Sequence, residues 1–249
     1  MFYTTKGLIL RETQYKDNDK LLNVLTEDMG VLTVKARGVK RKNSPLRSGC
    51  QLLGYSEFTL YEKNGFYTVN EAEPLNLFMG LRSDIELLSL GSYFAQVLES
   101  VAAEDQNNPE LLSLGLNCLY ALDQKKKSQA QVKAVFELRV LMLAGFTPEL
   151  GGCSVCLAPE ARMFYFSEGG LFCDACRRLS ATGSYRVLSD SVLAAMRYIF
   201  SCEKGKMFSF TLPDAAMKEL SQVAEEYLIC QLDQSFSSLN FYKRLFITM

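Results

Sequence analysis

The chain contains no histidine. A Ser-His-Asp triad, a Cys-His pair, an HExxH zinc centre and a 2-His-1-carboxylate iron site are therefore all excluded. Carboxylates, lysine and tyrosine remain for acid–base work, but the side chain most often used for it is missing. A protein that is not an enzyme is expected. Net charge is nearly absent as well: 27 Lys and Arg against 28 Asp and Glu leave −1. No global field then draws the molecule to a polyanion or a membrane, and any such affinity must come from a local patch. Long hydrophobic runs are also lacking. The stretch 132–146 is interrupted by Glu137 and Arg139, and no tract approaches the roughly twenty apolar residues of a membrane span. Met1 to Gly7 hold no basic stretch leading into an apolar one, so no secretory signal is expected.

What is present is cysteine in a pattern. Of the 8 cysteines, Cys153, Cys156, Cys173 and Cys176 form two CxxC knuckles with 16 residues between them, a zinc-site spacing. Each knuckle presents two thiolates from a tight turn, and the link lets the second pair complete a tetrahedron around one Zn²⁺. Gly151-Gly152 frees the backbone before the first pair, and Gly169-Gly170 marks a hairpin between 164–166 and 171–172. Four sulfur ligands leave no open position for water or substrate, so the metal is expected to be structural. Cys50, Cys118, Cys202 and Cys230 stand singly in apolar surroundings and are expected to be small buried hydrophobes of a reducing cytoplasm.

Residues 1–75 read as β. Five runs rich in Val, Leu, Thr and Tyr (7–11, 20–26, 31–36, 55–61 and 66–69) are separated by Asp17-Asn18-Asp19, Asp28-Met29-Gly30 and Lys63-Asn64-Gly65. Asn-Gly tolerates the positive φ angles of a two-residue hairpin turn. The pattern suits a small closed barrel such as an OB-fold, with an SH3-like barrel as the alternative. After Pro74 the apolar period becomes helical. Helices are expected over 84–101, from Asn108-Pro109 to Leu122, over 130–144, from Ser189 to Phe200, and from Pro213 to Leu232. The expected class is α+β: a five-stranded OB-fold barrel domain over 1–78, then a helical domain over 79–249 that carries a four-cysteine zinc finger at 151–178.

Between Asp28 and Glu57 there is no acidic residue, while Lys35, Arg37, Lys40, Arg41, Lys42 and Arg47 are basic. Strand alternation puts Lys35 and Arg37 on one face, opposite Val34 and Ala36. Gly38 then breaks the strand, and Lys40-Arg41-Lys42 with Asn43-Ser44-Pro45 is expected as an exposed, mobile basic loop. These six cations are the candidate nucleic-acid contacts, since each neutralised phosphate releases counterions. Tyr55, Phe58, Tyr61, Phe66 and Tyr67 are available as stacking platforms, but alternation buries one set of side chains in any small barrel, and they are expected in the core. No base-reading helix is apparent, so binding should depend little on sequence.

These residues resemble the RecO family of bacterial recombination mediators. The resemblance runs through Gly7–Arg11, Tyr15–Gly30, Val34–Ser44, Glu71–Pro74 and Phe136–Pro148, and is most specific at Thr26–Gly30 and Arg37–Ser44. It implies an N-terminal OB-fold, a helical domain and a zinc finger. It further implies binding of single- and double-stranded DNA, annealing of complementary strands, and work with RecR to load RecA on DNA coated by single-stranded-DNA-binding protein. That protein's acidic, apolar tail would dock on the helical domain, where Lys133 and Arg139 would offer cations beside Phe136 and Leu143. A cytoplasmic, nucleoid-associated location is the corresponding expectation. Two other readings remain open at this point. One is a zinc-ribbon protein of transcription or translation bound to RNA. The other is a phosphoryl-transfer enzyme holding Mg²⁺ on Asp17, Asp19, Glu27 and Asp28.

Overall fold

The computed structural model describes residues 1–102, 107–180 and 183–246, and these pack as two units, 1–126 with 236–246 and 127–235. In the first unit, strands β1 (Phe2–Gln14), β2 (Lys20–Thr26), β3 (Val31–Ala36), β4 (Tyr55–Lys63) and β5 (Phe66–Asn76) close a barrel in the order β1-β2-β3-β5-β4. All pairings are antiparallel except β3 with β5. Period-two alternation places Ser56, Phe58 and Leu60 of β4 inside, where Phe58 and Leu60 pack with Ile9, Leu22, Val24 and Val34. Between β4 and β5, Asn64 and Gly65 take φ of 55° and 78°, the left-handed pair that lets a two-residue turn follow the strands' twist.

Helix α1 (Met79–Arg82) leads into α2 (Ile85–Val101) and α3 (Pro109–Asp123). Asp84 caps α2 by accepting the N–H groups of Glu86 and Leu87, and Asn108 caps α3 ahead of a proline at its first turn. These helices belong to the barrel's unit, and so does α8 (Ser237–Leu245), which packs on α2. The packing division thus falls after Lys126, not at the end of the barrel.

The second unit is built on α4 (Gln129–Leu143), whose residues 131–141 are all buried. A helix that is apolar on nearly every face belongs in a core. A four-stranded sheet in the order β6-β8-β7-β9 follows, made of β6 (Glu149–Cys153), β7 (Met163–Tyr165), β8 (Gly170–Phe172) and β9 (Tyr185–Val187). Helix α5 (Asp174–Ser180) lies between β8 and β9 in the chain, and α6 (Asp190–Ser201) and α7 (Asp214–Leu232) complete the unit. Among the described residues no helix is long and apolar enough to cross a membrane. Cys50 and Cys118 are buried as expected, and Cys202 is half-buried, but Cys230 is exposed. It follows buried Leu228 of α7 by two positions, a rotation of about 200° that turns it outward.

Candidate nucleic-acid interface and metal centre

Three of the barrel's elements line one groove of about 730 Å³: the β1–β2 turn, the end of β3 and the β4–β5 hairpin. Its cations are Lys35, Arg37 and Lys63, and its rings include Tyr15, Tyr61 and Phe66. The groove brings Lys35 and Arg37 together on one side of β3, while Val34 and Ala36 point into the core. For Tyr61 and Phe66, exposure corrects the expectation that the aromatics are core, whereas Tyr67 packs against the barrel core and Tyr55 is half-buried. Phe58 is indeed buried, but Tyr61 is 41% and Phe66 77% exposed. Tyr61 shares strand parity with Glu57 and Thr59 on the outward side of β4, and Phe66 sits directly after the hairpin turn. Phe2 extends this surface, its ring 5.2 Å from that of Tyr61.

Lys35 is held in place by two neighbours: its Nζ lies 3.5 Å from Asp19 Oδ2 and 4.4 Å from the centre of the Tyr15 ring. Asp19 Oδ1 accepts the Gly38 N–H at 2.8 Å. That hydrogen bond, opposed by partial burial and supported by Lys35, holds the Asp19 carboxyl below its ordinary 3.8. Arg37, Arg41, Lys42, Arg47 and Lys63 face no carboxylate within 4 Å among the described residues.

The segment after β3 is not the mobile loop expected. Val39, Leu46 and Cys50 are buried in the barrel core. Backbone bonds from Ser44 to Arg41, Arg47 to Ser44 and Cys50 to Leu46 make it a chain of turns. Gly38 takes φ +64° to start it, and Lys40 N–H is bonded to Asn18 O. Apolar anchors every few residues leave Lys40, Arg41, Lys42 and Arg47 exposed on a fixed surface. Lys40 and Arg47, with Lys20, line a second cleft of about 500 Å³. Lys20 and Lys63, both missed in the sequence, flank turn signals that mark where the grooves form.

The carboxylates considered for Mg²⁺ do not gather. Asp19 is committed to Gly38 and Lys35, and Asp28 accepts the Thr5 hydroxyl. Among the described residues the one metal-sized cluster is Cys153, Cys156, Cys173 and Cys176, whose sulfurs all lie within 4.8 Å of one another. Cys156 Sγ and Cys173 Sγ are 3.7 Å apart. That distance is far too long for a disulfide, and it matches the edge, about 3.8 Å, of a tetrahedron with 2.3 Å metal–sulfur bonds. Burial raises the Cys153 thiol, but the N–H groups of Cys156, Val155 and Cys173 outweigh it and hold the group at about 6, while the neighbouring Cys156 and Cys173 sulfurs push the Cys176 thiol up. Such N–H donors favour the thiolate form that ligates metal. The four cysteines can therefore hold one metal ion, on a sheet and a helix start that the sequence separation alone would not order.

Lys133 and Arg139, expected as surface cations for a partner, are both buried. Lys133 is 3% exposed, its Nζ 2.8 Å from Glu137 Oε1 and 2.9 Å from Glu225 Oε2. Arg139 donates to the Cys202 carbonyl at 2.9 Å. Apolar residues on the remaining faces of α4 draw the whole helix inside, and the cations go with it. They tie α4 to its neighbours and offer no charge to a partner.

Two family models match the chain: "Recombination protein O N terminal" over residues 1–78 and "Recombination protein O C terminal" over 82–240. The chain is 30% identical over 246 residues to the DNA repair protein RecO of Acetivibrio thermocellus, covering 98% of this chain and 97% of that one. With the DNA repair protein RecO of Alkaliphilus metalliredigens it shares 29% identity over 248 residues, 98% and 100% of the two chains. The corresponding protein of Desulforudis audaxviator is 30% identical over 248 residues, 99% and 98%. With both halves of the family matched and near-complete coverage of its relatives, the chain belongs to the recombination protein O family.

Proposed function

We propose that this chain is a DNA repair and recombination mediator. In this reading it binds single- and double-stranded DNA, anneals complementary strands, and helps load RecA onto DNA coated by single-stranded-DNA-binding protein. The observation that carries the reading is the groove in which exposed Tyr61 and Phe66 lie beside Lys35, Arg37 and Lys63. Rings accept unpaired bases whatever their identity, at about 1–3 kcal/mol per stacked base, and cations follow the backbone. Lys40, Arg41, Lys42 and Arg47 extend the positive surface along the turns after β3. A strand neutralised in this way repels its complement less, so pairing is faster. No bond is made or broken.

One Zn²⁺ on Cys153, Cys156, Cys173 and Cys176 orders the short sheet of the second unit. The barrel of 1–78 handles DNA, and the helical residues 79–249 engage the coating protein's tail and RecR, in the cytoplasm at the nucleoid. The test is annealing of complementary oligonucleotides coated by the cognate single-stranded-DNA-binding protein, with and without this chain. Acceleration that disappears on charge reversal of Lys35 and Arg37 supports the reading. Equal rates with and without the wild-type chain, or preference for structured RNA in competition, overturn it.

A further inference from the structure

The two basic clefts of the barrel share no lining residue and differ in chemistry. The first combines cations with exposed rings. The second, lined by Lys20, Val39, Lys40, Arg47, Cys50 and Gln51, has no aromatic side chain at all. Lys20 is tied to Glu12 at 2.7 Å, whereas Lys40, which donates to the amide oxygen Gln14 Oε1 at 3.1 Å, and Arg47 have no carboxylate partner among the described residues. Arg41 and Lys42, in the same condition, stand exposed on the same turns. The chain passes from one cleft to the other within three residues, between Arg37 and Lys40, by the left-handed step at Gly38.

We infer that the barrel carries two DNA stations, the ring-lined groove for an unpaired strand and the ring-free cleft with its basic turns for the backbone of paired DNA. This rests on the DNA-handling reading and deepens it. A cleft without rings gains nothing from unpaired bases. It gains from phosphates alone, and a duplex carries one charge per about 1.7 Å of axis, twice that of either strand. The ring-lined groove has the opposite preference, since its stacking energy is available only while bases are unpaired. Pairing therefore withdraws a strand's bases from Tyr61 and Phe66 and raises the affinity of the product for Lys40, Arg41, Lys42 and Arg47. The transfer runs in one direction.

The experiment compares the full-length wild type with Tyr61→Ala/Phe66→Ala and with Lys40→Glu/Arg47→Glu. Affinities for a single strand and for its duplex are measured at about 0.15 M salt, where charges reach only about 8 Å, and circular dichroism confirms the fold of each variant. Removal of both rings should weaken single-strand binding about 30-fold or more and leave duplex binding within about twofold. Charge reversal should weaken duplex binding and lower its salt slope by about two, with single-strand binding little changed. Parallel losses for both ligands in both variants, or unaltered duplex binding after charge reversal, overturn the two-station assignment and leave the DNA reading standing. Failure of the wild type to bind either ligand removes both.

Discussion

Asp19 and Gly38 are joined by a 2.8 Å hydrogen bond from the Gly38 N–H to Asp19 Oδ1, and the other carboxylate oxygen pairs with Lys35. One side chain thus sets the turn after β3 and neutralises part of the groove that the turn borders. Asp19→Asn keeps an oxygen for Gly38 and removes the charge. Single-strand affinity should rise, with a salt slope steeper by up to about 0.7 as Lys35 becomes available to a phosphate. Titration of binding against salt checks this, and a slope unchanged or shallower contradicts it.

The same pair has a pH signature. Because the folded Asp19 carboxyl lies below its ordinary value of 3.8, its contribution to stability is complete above that pH and disappears as pH falls through the folded value. The melting-temperature gap between wild type and Asp19→Asn should be constant above about pH 5 and close below about pH 4. A gap that widens on acidification is incompatible with this assignment.

Phe58 and Phe66 test the split between core and surface rings. Phe58→Ala empties a fully buried site and should cost about 3–5 kcal/mol in denaturant unfolding. Phe66→Ala should leave stability within about 0.5 kcal/mol and act on single-strand binding alone. Equal stability losses for the two would place Phe66 inside.

Lys133→Ala removes the buried cation paired with Glu137 and Glu225 and should destabilise the second unit by about 3–5 kcal/mol. Binding of an acidic peptide at a temperature where the variant is folded should not change. Loss of such binding with full stability would restore Lys133 as a partner contact.

Chelation should remove near-stoichiometric zinc from the purified chain, and Cys176→Ser should do the same permanently. In both cases the sheet around Tyr165 and Phe172 should become susceptible to proteolysis, because metal binding and local folding are one equilibrium. Metal analysis that finds no zinc in protein prepared without chelator speaks against the assignment.

Local signals were legible wherever they act through neighbouring residues. The caps at Asp84 and at Asn108 with Pro109 mark helix starts within a residue, and Asn64-Gly65 forms the hairpin turn its composition demands. β9, α5 and α8 were not read from the sequence. β9 is three residues long and exists through its pairing with β7, and α8 is completed by packing on α2, more than a hundred residues earlier. The candidate site was half legible. Charge in 29–56 is visible directly, and parity along β4 would have turned Tyr61 outward, since it is in phase with Glu57. The burial of Lys133 shows the opposite case: an i,i+4 pair with Glu137 reads as surface until the apolar character of every other face is weighed.

Residues 127–235 form their unit from one uninterrupted stretch, whereas the barrel's unit takes up residues beyond 235. Phe236 sets its ring 5.6 Å from that of Tyr93, and the Ser238 hydroxyl donates to Gln96. During synthesis the helical surface beside the barrel therefore waits, partly uncovered, until more than a hundred later residues have emerged. The unit with the four clustered cysteines can mature first, and shortening the polypeptide from its carboxyl end harms the part that was translated earliest.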